Sequence, residues 1–138
     1  MNNITKLIKD EFDKITKNWF PQNAPTLEIE FPKDDDIETA SVYDEKRNKI
    51  ILRVMSHNIN DNFDNADWSS TQLELYHELL HAYQATLDDS CVDNSKVKEL
   101  RIIRKSFVGP GHCDRFYQAI IDKAAYFGLK PDEFVKRV

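Results

Sequence analysis

The sequence predicts an α+β fold, with helices packed on one small antiparallel sheet of about three strands. Two observations carry this. Apolar residues recur at helical spacing at the start of the chain, in its middle and through its last third. Between the first two helical runs, roughly residues 26–54 hold short alternating, β-branched runs separated by polar turns.

Residues 3–20 place Ile4, Leu7, Ile8, Phe12, Ile15 and Trp19 at helical spacing with Lys and Asp between, an amphipathic helix with one buried face. "FPQNAP", residues 20–25, ends it, because proline cannot continue a helix. "TLEIEF" alternates Leu27, Ile29 and Phe31 as a half-buried strand does, and "PKDDDIE" reads as a solvated acidic turn. "TASVY" and "KIILRVM", joined by the charged turn 44–48, read as a hairpin. Residues 56–67, rich in Asn and Asp, read as an exposed loop leading into the next helix. Ser69 suits an N-cap there, with Gln72 three residues on and Trp68 and Leu73 at hydrophobic-staple spacing. Leu73, His77, Leu80, Gln84 and Leu87 then fall on one side, and "DDS", residues 88–90, is expected to end the helix. A further helical run spans residues 95–107 with Val97, Leu100, Ile103 and Phe107 spaced for burial. After the sharp turn "VGPG" comes another, residues 112–127, burying Phe116, Ile120, Ile121 and Ala124. Gly128 suits its C-terminus, and Pro131 the first turn of a short last helix.

The 138 residues suit one domain, residues 1–138, without internal repeat or linker. A chain of this length buries roughly two-thirds of its unfolded surface and needs no staples. The net charge of −5 argues against general nucleic-acid or membrane-surface binding. No apolar stretch is long enough for a transmembrane helix, and the N-terminal residues lack the apolar core of a signal peptide. Cys91 and Cys113, with no export signal, are expected to be reduced thiols of a cytoplasmic protein.

The stretch that carries chemistry is "YHELLHAYQ", where His77, Glu78 and His81 fit H-E-x-x-H. Positions i and i+4 share a helix face about 6 Å apart along the axis, so two imidazoles can converge on one ion at roughly 2.0–2.1 Å. Glu78 points about 100° around the helix from His77, beside such an ion and not on it. From there it can take a proton from a metal-bound water, whose pKa zinc lowers towards about 7. That arrangement points to zinc-dependent hydrolysis of peptide bonds, with one zinc per chain.

A third ligand is needed. The metzincin pattern requires Gly at 84 and His at 87, where this chain has Gln84 and Leu87. Peptide deformylase requires an upstream cysteine, and both cysteines here are downstream. Glu99 on a following helix is one candidate, and His112, after a glycine-rich turn at a helix start, is another. His57 sits in a polar loop and suits a solvated role.

"HELLHA" followed by "GHCDRF" resembles the SprT-like zinc metallopeptidases, and the resemblance covers roughly residues 1–130. It implies a zincin-like fold and a zinc held by His77, His81 and His112, with Glu78 as base and Phe116 at the aromatic position after the third ligand. The chain departs from the pattern in Cys113, where that family usually has glycine, and in the long stretch between His81 and His112. No C-terminal zinc ribbon is expected from two cysteines so far apart. The resemblance also implies a protein or peptide substrate, in some members one crosslinked to DNA. The competing expectation is a non-catalytic, zinc-stabilised adaptor or DNA-associated binding domain; Glu78 discriminates, since a structural site has no need of a base. Lys98, Arg101 and Lys105 line one side of the 95–107 run, a basic stripe suited to weak phosphate contact. A solvated helix face accounts for the same residues.

Overall fold

The computed structural model describes residues 3–31, 40–54, 65–104 and 112–138. They form five α-helices, two short 3-10 helices and a three-stranded sheet, an α+β architecture that divides into two compact units, Met1–Ala82 and Tyr83–Val138.

The first unit opens with α1 (Asn3–Trp19). Its apolar periodicity buries Ile4, Ile8, Phe12, Ile15 and Trp19, as the spacing requires. Leu7, placed on the same face by sequence, is 42% exposed. It lies at the border of the stripe, a residue before Ile8, and the narrower Ile4–Ile8–Phe12–Ile15 seam suffices. Strands β1 (Thr26–Glu30), β2 (Val42–Asp44) and β3 (Lys49–Arg53) follow.

The sheet corrects the expected topology. Its order is β1-β3-β2, with β2 antiparallel to β3 but β1 parallel to it, so the sheet is mixed and not antiparallel. Alternation along a strand sets which side chains share a face, and says nothing about the direction of the neighbour. The hairpin itself is as expected. Asp44 Oδ1 accepts from the amides of Lys46 and Arg47, and Asn48 takes the left-handed φ of +50° that closes the turn. The central strand β3 buries Ile50 and Leu52, and on its other face Lys49 and Arg53 pair with Glu28 and Glu30 of β1, each at 3.0 Å.

Helix α2 (Asn65–Gln84) completes the unit and continues into the next. It begins four residues before the expected cap, so Ser69 and Trp68 lie inside the helix and neither caps nor staples it. It also ends early: at Gln84, with the turn bonds Thr86 N to Tyr83 O and Leu87 N to Gln84 O. Leu87 therefore lies outside it. Its buried stripe is broad: Leu75, Leu79, Leu80 and Ala82 fall within about half of the circumference at about 100° per residue.

In the second unit, Asp88 caps a 3-10 turn (Asp89–Cys91), and Asp93 caps α3 (Asn94–Ile103) by accepting from the Lys96 amide. Val97 and Leu100 of α3 are buried, whereas Ile103, expected in the core, is 40% exposed. Phe107 lies outside the described residues. Helix α4 (Asp114–Lys123) passes into a 3-10 turn (Ala124–Phe127), which Gly128 ends at φ +69°. Pro131 then opens α5 (Pro131–Val135). Helices α3, α4 and α5 pack on one another around Leu100, Phe116, Tyr117, Ile120, Phe134 and Val135. Among the described residues no helix is long and apolar enough to cross a membrane.

Candidate metal centre

Two turns of α2 set the first pair of ligands. His77 and His81 lie one above the other, Nε2 to Nε2 at 3.2 Å, with ring centroids 4.8 Å apart and planes inclined at 70°. Three nitrogens at zinc bonding distance in a tetrahedral arrangement stand about 3.3 Å from one another. The observed 3.2 Å is that separation, and without metal it also suits an N–H···N hydrogen bond between the rings.

His112 precedes α4. Its ring meets Phe116 edge-on, centroids 4.8 Å apart, so the aromatic four residues on shelters the imidazole. His77, His81 and His112 together form a group that can hold a metal ion: each offers one ring nitrogen, and these nitrogens all lie within 4.8 Å of one another. The donor set, three half-buried imidazoles, is one that zinc accepts with a fourth position left over. Glu99, the other candidate, is exposed on α3 and is not in the group. His57 lies outside the described residues.

Glu78 is 7% exposed, against the usual rule that carboxylates stay in water. Burial pushes its carboxyl up to about 8, the charge of Glu74 one turn earlier pushes the same way, and a hydrogen bond from the Tyr43 backbone pulls in the opposite direction. Glu74 is itself held: Ser41 Oγ donates to its Oε1 and accepts from the Arg53 amide at 2.8 Å. A third contact from the same helix, Tyr76 OH to Glu11 Oε1 at 2.8 Å, links α2 to α1.

The sequence singles out His77, Glu78, His81, His112 and Cys113 but not the contact between Cys113 and Gln84. Gln84 is buried, and its Nε2 donates to Cys113 Sγ at 3.1 Å. Cys113 is the N-cap residue of α4. Burial raises its thiol, but the amides of Arg115 and Phe116 and the Arg115 side chain outweigh that and hold it below the ordinary value. Nothing in the pattern H-E-x-x-H flags Gln84, although a glutamine on the apolar side of a helix is a signal in itself. In the basic stripe, Lys98 is exposed, and Lys105 lies outside the described residues. Arg101 is engaged within the unit: it pairs with Asp114 at 2.7 Å, and its guanidinium lies 4.5 Å over the Tyr117 ring.

No family model matches the chain, and no curated protein or solved structure matches it either.

Proposed function

We propose that the protein is a zinc-dependent metallopeptidase of the SprT-like, zincin-like kind, with one zinc per chain held by His77, His81 and His112 and Glu78 as general base. The observation that carries the reading is the convergent three-histidine group with a buried glutamate between its first two members in sequence. When bound, zinc supplies a Lewis acid that lowers the pKa of coordinated water towards about 7 and polarises a carbonyl.

The chain's own residues do the rest. His77 and His81 present two nitrogens from one face of α2, and their spacing is preset by the helix. Glu78, buried on the same helix, offers an acceptor whose proton affinity is raised into the neutral range, where a general base is most effective. Its partner Tyr43 lies on β2, which the sheet order leaves as an edge strand. An extended peptide substrate suits such an edge.

Native mass spectrometry tests the metal assignment. One zinc per wild-type chain is expected, lost in His112→Ala and kept in Glu99→Ala; the reverse pattern would make the glutamate the ligand. Glu78→Gln is expected to keep zinc and fold while losing cleavage of a general protein substrate such as casein. Cleavage by that variant at the wild-type rate excludes the base role. Zinc should be released in acid, as the ligand imidazoles take up protons.

A further inference from the structure

Glu78 lies one turn after a second acid, Glu74, on the same side of α2. Like charges at i and i+4 repel along a helix. Glu74 is nonetheless half-buried and held there by the segment that leads into β2. Ser41 Oγ donates to Glu74 Oε1. Two residues on, Tyr43 donates its backbone N–H to Glu78. All four residues belong to the first unit.

The two attachments match in length. Four residues of helix rise about 6 Å, and two residues of extended chain span at most about 7 Å. One stretch of α2 and one stretch of chain therefore share two fixed points. The first of these is also tied to the sheet. Backbone pairing of β2 with β3 ends at Val42 with Ile51. Beyond it the Ser41 hydroxyl replaces a backbone acceptor and receives the Arg53 amide at 2.8 Å. The Arg53 side chain donates Nη1 to Ala40 O and Nε to Glu30 Oε2, the latter at 3.0 Å, so it secures residue 40 and β1 as well. The Ser41 hydroxyl thus donates toward the helix and accepts from the sheet.

We propose that Ser41 and Glu74 are positioning residues for Glu78: by tying the start of β2 to α2 one turn away, they hold the Tyr43 amide on the Glu78 carboxyl and fix where that carboxyl can accept a proton. This rests on the metallopeptidase reading above. Neither residue belongs to the H-E-x-x-H pattern, and each acts through Glu78.

Amide hydrogen exchange of the chelator-treated protein, followed by NMR, reads the anchor without metal or substrate. Ser41→Ala and Glu74→Met are each expected to speed exchange at Tyr43 by about tenfold, the size of one lost hydrogen bond, while Leu52 in the central strand keeps its wild-type rate. Ser41→Thr keeps the hydroxyl, and Glu74→Gln keeps an acceptor oxygen without the charge; both should retain the wild-type pattern. In the zinc-loaded protein, Ser41→Ala and Glu74→Met should turn over saturating casein about tenfold more slowly with zinc content unchanged, and the two conservative variants at nearly the wild-type rate. Unchanged Tyr43 exchange in both Ser41→Ala and Glu74→Met overturns the proposal. So does equal acceleration at Tyr43 and Leu52, which marks general destabilisation, or an equal loss in Glu74→Gln and Glu74→Met, which makes charge and not position the cause. A wild type that shows the anchor by exchange but neither binds zinc nor cleaves casein overturns the metallopeptidase reading instead, and Ser41 and Glu74 then only hold a strand in place.

Discussion

Glu78→Gln is expected to change how the metal-free protein responds to pH, quite apart from catalysis. The carboxyl is pushed from an ordinary 4.5 to about 8 by burial and by Glu74. Between those values the folded protein holds a proton that the unfolded chain has released. Stability is therefore fully present below about 4.5 and is lost as pH rises towards 8. A shift of that size corresponds to about 5 kcal/mol at most, or about 1.4 kcal/mol per pH unit, and relaxation around the carboxylate reduces it to about 3. Glutamine keeps the shape and has no proton to lose, so it removes this slope. Urea denaturation of chelator-treated wild type and variant at several pH values from 5 to 9 measures the difference, in which the titration of the histidine pair cancels to first order. The variant should match wild type near pH 5 and exceed it by about 3 kcal/mol near pH 9. Added zinc should flatten the wild-type slope, since a nearby dication favours the carboxylate. A constant stability difference across the range, or one that shrinks as pH rises, would refute the argument that Glu78 is folded as a buried, protonated acid.

Leu79→Ala, at a fully buried position, should cost about 2–5 kcal/mol in the same denaturation assay, whereas Leu7→Ala, at a 42% exposed one, should cost under about 1. Asp93→Ala removes the side-chain acceptor of the Lys96 amide at the start of α3 and should cost about 1 kcal/mol, with Asp93→Asn largely neutral. If the basic stripe touches nucleic acid, binding to single-stranded or duplex DNA at low salt should be weak, fall steeply with added salt and vanish on charge reversal at Lys98 and Lys105 with zinc content unchanged. Absence of binding to both forms leaves Arg101 with its structural partners, Asp114 and Tyr117.

Local chemistry was readable from the chain alone. The Ile4–Ile8–Phe12–Ile15 repeat, the hairpin around residues 44–48, the glycine at 128 and the proline at 131 each act through neighbours a few residues away. Periodicity and backbone preference therefore suffice to place them. The same holds for His77 and His81, whose 3.2 Å approach follows from helix pitch. Tertiary structure decided what depends on distant partners. The parallel run of β1 beside β3 joins residues more than twenty positions apart, and no pattern within either strand encodes direction. The upward push on the Glu78 carboxyl follows from burial and Glu74, not from its place in a motif. Gln84 and Cys113 are 29 residues apart, and only folding brings an amide donor to that sulfur. A sequence shows which faces must be buried; which groups meet there is set by long-range packing, and in this protein that packing surrounds the candidate metal ligands.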